Sequence, residues 1–127
     1  MFQCFFRKNQ KGTWTMNIRE KTKKALDKLS IPSGYQEIVN PPETYITFFE
    51  YDYEYEYSED EVIPALYIMQ VDLWTKSPKY KGIEKEIIEA MNNEDFLLDD
   101  EEDLYEKDTK IYHKAFRFKL ENIKEVE

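Results

Sequence analysis

The chain has one cysteine, one histidine and three glycines among its 127 residues, and these shortages exclude several kinds of site. Because Cys4 is the only cysteine, no intrachain disulfide can form, which is typical of proteins of a reducing cytoplasm. The glycines fit neither GxGxxG nor GxxxxGK, so no phosphate-binding loop is predicted. No apolar run approaches the roughly 18 to 20 residues that cross a bilayer, so no membrane partner is expected.

Few residues point to catalysis or metal binding. The single histidine, His113, lies in a strand pattern without a serine, cysteine or acid at a motif spacing, which favours a structural or surface role. The acidic run Asp99 to Asp103 is contiguous and lacks the glycine of a calcium loop, so it is predicted to be a solvated loop. The sequence therefore predicts no enzyme activity, no metal site and no cofactor.

The net charge of −9 is distributed unevenly. Residues 1–16 carry three positive charges and no negative one, so residues 17–127 carry a net charge of −12. A body this acidic disfavours binding to the outside of nucleic acid or to an anionic membrane, because both are also negative. It leaves open the passage of DNA through an assembly that does not grip it.

The segment from Phe49 to Tyr57 alternates strictly between aromatic and acidic residues. Since neighbouring side chains of a strand point to opposite faces, this pattern predicts a strand with one aromatic and one anionic wall. The first wall would face the core or a neighbouring subunit, and the second would face solvent or the lumen of an assembly. The candidate interface or lumen residues are Glu50, Asp52, Glu54, Glu56, Tyr51, Tyr53 and Tyr55.

The remaining periodicity predicts an α+β fold. Apolar stripes predict surface helices over residues 17–29, with Asn17 as N-cap, and over residues 80–92. Residues 45–57 and 65–74 read as the two strands of a long hairpin, joined by an acidic turn at 58–61, and residues 109–120 as a basic strand suited to an acidic partner. We therefore expect one domain, residues 17–127, with a mostly antiparallel sheet packed against two helices on one face.

Residues 1–16 differ from the rest of the chain, since they show no periodicity before a second methionine, Met16. The codons of Lys11 and Gly12 can supply a bacterial ribosome-binding sequence upstream of Met16. One hypothesis is that Met16 is the natural start and that a leader precedes it. The alternative is a genuine arm that docks on a neighbouring subunit.

The order of elements resembles the tail-completion proteins of long-tailed bacteriophages, which include tail terminators and tail-to-head joining proteins. The resemblance covers about residues 17–123. It rests on the N-terminal helix, on the Asn40-Pro41-Pro42 segment before Tyr45-Ile46-Thr47-Phe48, on the strand Tyr67 to Lys76, on the helix Ile83 to Met91 and on the basic-aromatic strand Lys114 to Phe118. The acidity of residues 49–57 departs from the family pattern.

The resemblance implies a non-enzymatic subunit that forms a ring, usually a hexamer, which caps the tail tube and joins it to the head connector. Its partners would be further copies of itself, the tail tube protein and the head connector protein, with DNA only passing through. It would occur in the bacterial host cytoplasm during assembly and then in the virion tail. An alternative is an acidic binding module, a nucleic-acid-mimicking inhibitor that acts as a monomer or dimer.

Overall fold

The structure, a computed structural model, describes residues 6–8, 14–16, 18–57, 62–77 and 81–121. Its helices are α1 (Ile18–Leu26) and α2 (Lys81–Asn92). Its strands are β1 (Phe6–Lys8), β2 (Trp14–Met16), β3 (Ser33–Tyr35), β4 (Thr44–Tyr57), β5 (Val62–Thr75), β6 (Leu97–Glu106) and β7 (Ile111–Glu121). The predicted N-cap Asn17 and the predicted acidic turn at 58–61 lie outside the described residues.

Strands β3 to β7 form one sheet in the order β3-β4-β5-β7-β6. Only the β3–β4 pair is parallel, and the other neighbours are antiparallel. Strands β1 and β2 pair antiparallel in a separate two-stranded sheet. The predicted hairpin of two long strands, the C-terminal strand and the α+β class are confirmed, and β3 and β6 extend the sheet at its two edges.

Both helices cover the same face of the sheet, and the core lies between them. The predicted stripes point inward: Ile18, Ala25 and Leu26 of α1 are buried, as are Ile87 and Met91 of α2. They contact alternate residues of the central strands, namely Tyr67, Met69, Val71, Leu73, Phe116 and Phe118. Burial of each large apolar side chain contributes about 1.5–3 kcal/mol, so the one-sided helix layer is held by hydrophobic contact.

The turn after α2 ends the helix and places an acidic residue beside α1. Phe96 N donates to Met91 O and Asp95 N donates to Asn92 O, while Asp95 takes a positive φ of 70°, which is the geometry of a Schellman C-terminal motif. The preceding residue, Glu94, is thereby held in the gap between the two helices, with its side chain only 8% exposed.

Three lysines of the α1 segment converge on Glu94. Its carboxylate lies 3.4 Å from Lys21 Nζ and 3.6 Å from both Lys24 Nζ and Lys28 Nζ. Burial alone would raise the pKa of the Glu94 carboxyl, but the lysines outweigh burial and hold that pKa below its ordinary value of 4.5. This cluster ties the end of α2 to α1 by charge.

Replacement of Glu94 by glutamine tests this tie. Because the folded pKa is depressed, the stabilisation is present above the unfolded pKa and is lost as pH falls through the folded pKa. We expect Glu94→Gln to lower the free energy of unfolding at neutral pH by about 1–3 kcal/mol, since Lys21 loses its buried partner. Urea denaturation should show the difference shrinking as the pH falls below 4.5. The exposed Glu89→Gln serves as the control and should change stability by no more than about 0.5 kcal/mol.

Two glycines should respond in opposite ways to alanine. A Cβ at Gly82, in the first turn of α2, would meet no atom within 4 Å, whereas a Cβ at Gly34 in β3 would lie 2.8 Å from Ile38 Cγ1 and 2.9 Å from the Glu37 carbonyl oxygen. We expect Gly82→Ala to stabilise by about 0.5–1 kcal/mol because alanine has the better helix propensity. Gly34→Ala should destabilise. Equal thermal unfolding midpoints for the two variants would contradict this packing.

Candidate functional site

The alternating residues lie on β4 as predicted, but they do not form two pure walls. Glu50 pairs with Met69 and Asp52 pairs with Ile68, so Tyr51 has no partner on β5 and is the extra residue of a β-bulge. A second register shift follows between Glu54 and Tyr55. The first shift changes which parity of β4 faces the helices, whereas the second leaves its extra residue, Ala65, on β5. The predicted walls are therefore broken at the bulge: Glu50 and Tyr51 lie on the faces opposite to those predicted, while Tyr53 and Tyr55 share one face and Asp52 and Glu54 share the other.

The bulge has a packing reason. Before it, Phe48 and Glu50 face the helices, and after it Tyr53 does so, with its ring centroid 5.5 Å from that of buried Tyr67. Without the extra residue, unbroken alternation would turn Asp52 toward the core side and Tyr53 away from it. Burial of an unpaired carboxylate is costly, whereas burial of a tyrosine ring is favourable.

Glu50 is therefore an internal residue of the fold. Its side chain is 8% exposed, forms an ion pair with Arg19 of α1, and accepts a 2.5 Å hydrogen bond from Tyr35 Oη. Burial opposes its charge, but Arg19 and Tyr35 hold the pKa of the carboxyl below its ordinary value. Burial and the nearby Glu50 raise the pKa of Tyr53 to about 12. Glu50 is thus a helix-to-sheet contact, and no free carboxylate remains there to line a lumen.

The other candidate residues divide between the two faces. Tyr53 and Tyr55 lie on the helix side with ring centroids 6.2 Å apart. Tyr51 lies on the opposite side, where the Arg117 guanidinium carbon stands 4.6 Å from its ring centroid. Asp52 and Glu54 are exposed. Glu56 pairs with Ile63 in the ladder, and its side chain lies outside the described residues.

The face turned away from the helices, called the outer face, carries a polar network across β5 and β7. Asp72 Oδ1 accepts a 2.9 Å hydrogen bond from Gln70 Nε2 and lies 2.7 Å from His113 Nε2. Gln70 Oε1 in turn accepts a 3.1 Å bond from Arg117 Nε. Asp72 and Gln70 are buried on this face, although neither of the described helices covers it.

An aromatic row crosses the outer face beside this network. The Trp74 ring stacks on His113 with centroids 3.8 Å apart and on Tyr45 with centroids 6.1 Å apart. Trp74 Nε1 also donates a 2.9 Å hydrogen bond to Thr47 Oγ1. His113 is thus fixed between an indole ring and a carboxylate, which agrees with a structural role. Its contact with Asp72 could not be read from the sequence because 41 residues separate them.

The acidic run at residues 99–103 is a correction to the sequence prediction, since it lies in strand β6 and not in a loop. Strand β6 pairs with β7 and forms one edge of the sheet. Lys114 of β7 lies 3.4 Å from Glu101, 3.1 Å from Asp103 and 3.7 Å from Glu84 of α2. These acids outweigh the effect of burial and raise the pKa of Lys114. The predicted preference of the basic strand for an acidic partner is met by β6.

A second cation completes this pairing on the outer face. Arg117 Nη1 donates a 2.8 Å hydrogen bond to Asp100 Oδ2, and its Nη2 lies 3.7 Å from Glu102 Oε2. The two cations therefore contact four carboxylates of β6, with Lys114 on the helix side and Arg117 on the outer side. The strand remains strongly acidic after these contacts, because it holds six acids and no basic residue.

Exposed apolar side chains collect at two places. The first is a projecting arm, formed by Tyr55–Tyr57 and Val62–Pro64, which pair with each other and with no third strand among the described residues. Tyr57, near its end, is 78% exposed. The second is strand β6, where Leu97, Leu104 and Tyr105 are exposed. A two-stranded ribbon is marginally stable by itself, so the arm is suited to contact with another molecule.

The described residues offer little for catalysis. No group of three or more His, Cys, Asp or Glu side chains among them could hold a metal ion. Within the same residues, neither helix has the length and hydrophobicity needed to cross a membrane. Among the described residues, the arm and the β6 edge are the places where large apolar side chains are exposed close together.

Comparison with known proteins gives no family for the chain: no protein-family model matches it, and no curated protein matches its sequence.

Removal of Asp72 should reveal how much the outer-face network stabilises the fold. We expect Asp72→Ala to lower the free energy of unfolding by about 1–3 kcal/mol, because Gln70 and His113 lose their shared acceptor in a shielded position. The exposed Glu54→Ala removes the same charge from the same face and should change stability by about 0.5 kcal/mol or less. If chemical denaturation gives similar losses in the free energy of unfolding for both substitutions, the network does not stabilise the fold.

Proposed function

We propose that the chain is a structural subunit of a phage or prophage tail. In this role, copies form a ring, usually a hexamer in such proteins, that terminates the tail tube and joins it to the head connector. The proposal starts from the resemblance described for residues 17–123. The α+β sheet with both helices on one face agrees with that resemblance.

The projecting arm is the observation on which the proposal chiefly depends. A ring subunit at a junction must touch its neighbours in the ring, the tube below and the connector above. The arm extends β4 and β5 beyond the rest of the sheet and exposes tyrosine side chains at Tyr55 and Tyr57. Tyrosine is enriched in protein interfaces because its ring supplies contact area and its hydroxyl tolerates water.

The acids on the outer face suit a channel that DNA crosses. Asp52 and Glu54 are exposed and lie close to the arm. If this part of the subunit faces the lumen, its carboxylates repel the phosphates, so DNA can slide without being held. Glu50 is excluded from this role by its contact with Arg19.

The alternative is an acidic module that mimics nucleic acid. Strand β6 favours it, because six acids within ten residues present carboxylates on both sides of an exposed strand. Residues two apart on a strand are separated by about 6.6 Å, so each side would carry a regular row of charge. Such a module would remain a monomer or dimer and would bind a nucleic-acid-binding protein. A chain that joins heads to tails would not need to bind a nucleic-acid-binding protein, so such binding separates the two functions.

Reconstitution of phage assembly tests the proposal. Tails and DNA-filled heads would be prepared from a phage whose copy of this gene is deleted, and the purified chain would then be added. We expect the chain to restore joined particles, counted by negative-stain electron microscopy, and infectivity, counted by plaque assay. Heads and tails that join without the chain would overturn the proposal.

A matched pair of substitutions tests the arm in the same assay. Tyr57 is 78% exposed on the arm and Val39 is 81% exposed in the β3–β4 connection, so either can be replaced by aspartate without loss of core packing. We expect Tyr57→Asp to abolish most head–tail joining while stability changes by about 0.5 kcal/mol or less. Val39→Asp should join particles normally. Normal joining by Tyr57→Asp would exclude the arm from the junction.

A further inference from the structure

Strand β6 has one free edge, which is strongly acidic. The strand pairs with β7 on one side, and among the described residues no strand pairs with its other side. Its ten residues include six acids and no basic residue. Lys114 and Arg117 of β7 contact four of these acids, so two positive charges stand against six negative ones. An open strand edge pairs with another chain unless its side chains prevent this.

The acids of β6 restrict which strand can pair with the free edge. Two copies of β6 placed side by side would bring carboxylates against carboxylates, and like charges opposite each other in a ladder are destabilising. A basic strand is favoured instead, because each pair of opposite charges across a ladder contributes roughly 0.2–1 kcal/mol. The free edge is therefore protected against a second β6 but suited to a basic strand.

Residues 1–16 are a basic segment of the same chain. They carry three positive charges and no negative one, so no acid within the segment balances them. Two of these charges, Arg7 and Lys8, belong to strand β1. Helix α1 is also rich in cations, but these contact acids of the same copy such as Glu50 and Glu94. The segment before α1 is therefore the better match for the acids of β6.

The hairpin of β1 and β2 also gains from a larger sheet. Its two strands pair with each other in a sheet separate from the main one. A two-stranded hairpin is marginally stable by itself. Addition of the hairpin to the free edge of β6 would join it to five further strands, with affinity from main-chain hydrogen bonds and selectivity from side-chain charge.

The length of the hairpin favours the β6 edge of a second copy over that of its own copy. Strand β2 ends at Met16, next to α1, and Arg19 of α1 contacts Glu50 of β4. A strand added beyond β6 lies four strand spacings from β4, which is about 19 Å. Because Phe6 pairs with Met16, each half of the hairpin has about six residues and spans at most about 20 Å. The crossing would use this whole length and leave none to lie along β6.

We propose that the β1–β2 hairpin of one copy adds to the free edge of β6 in a second copy. Each copy then supplies one hairpin and one acidic edge. Such a contact is heterologous, and it forms a ring when its rotation closes. The inference deepens the proposed function, and the closure of this contact into a tail ring rests on that function.

Cysteine cross-linking tests the contact directly. Cys4, the only cysteine of the chain, lies two residues before β1 and marks the hairpin of the donor copy. The acceptor copy carries Leu104→Cys, at an exposed position of β6, in a Cys4→Ser background. After treatment with a flexible bismaleimide, we expect a mixed dimer, identified by mass spectrometry, to exceed either homodimer several-fold. The control acceptor carries Val39→Cys, which is 81% exposed in the β3–β4 connection, and should give little mixed product.

Reversal of the hairpin charge tests the electrostatic part of the contact. A donor with Arg7→Glu and Lys8→Glu should give several-fold less mixed dimer than the unchanged donor. A donor with Lys76→Glu and Lys85→Glu undergoes the same change of net charge at exposed positions and should keep its yield. The yield of the unchanged donor should fall when the salt concentration is raised from about 0.1 M to about 1 M, which shortens the Debye length from about 10 Å to about 3 Å.

Four results would each overturn the inference. The first is an absence of mixed dimer or an equal yield with both acceptors, and the second is a predominant homodimer through β6. The third is an equal yield from the two charge-reversed donors. The fourth is a cross-link within a single chain that carries Cys4 and Leu104→Cys at high dilution, because the hairpin would then cover the β6 edge of its own copy. A chain from its native source whose intact mass begins at Met16 would also refute the contact.

The reconstitution assay separates this inference from the proposed function. A chain with Arg7→Glu and Lys8→Glu that joins heads to tails as well as the unchanged chain, and forms no cross-link to β6, would refute the hairpin contact and leave the proposed function standing. A mixed dimer from a chain that fails to restore joined particles would do the reverse.

Discussion

The ion pairs made by Lys114 and Arg117 are the contacts on which the charge balance of strand β6 depends. A strand with six acids has little reason to join a sheet unless its charge is balanced, and β7 supplies one cation to each face. Lys114 also reaches Glu84, so the same cation connects β6, β7 and α2. The two cations help to hold the strand in the fold. Because they do not balance all six acids, the strand still presents an acidic edge to its surroundings.

The bulge at Tyr51 decides which surface each residue of β4 belongs to. It places Glu50 among Arg19 and Tyr35 on the helix side, and it sends Tyr51 to the outer face beside Arg117. Each face of β4 therefore carries both aromatic and acidic residues, so the strand as a whole does not present one aromatic wall and one acidic wall. The proposed assembly therefore relies on the exposed tyrosines of the arm.

The sequence was sufficient for those parts of the fold that follow from local periodicity. The stripe of Ile87 and Met91 predicted α2, and the alternation of Tyr67 to Leu73 predicted the inner face of β5, because each depends on burial along one element. Strand β6 was missed because its acids hide the alternation that marks a strand, and the cations that balance them, Lys114 and Arg117, lie on another strand. The bulge was missed because no glycine or proline marks it, and it depends on the packing of Tyr53 against Tyr67. The Asp72–His113 contact joins distant parts of the chain and leaves no local signal.

The position of β5 in the middle of the sheet has a consequence for how the protein forms during synthesis. Its first partner, β4, precedes it across a connection of four residues, so the hairpin can close on the microsecond timescale of such structures. Its second partner, β7, is translated only after α2 and β6, so one side of β5 must wait for the ribosome. During that interval the nascent chain exposes the unpaired backbone groups along one side of β5, and such an edge is a site for aggregation.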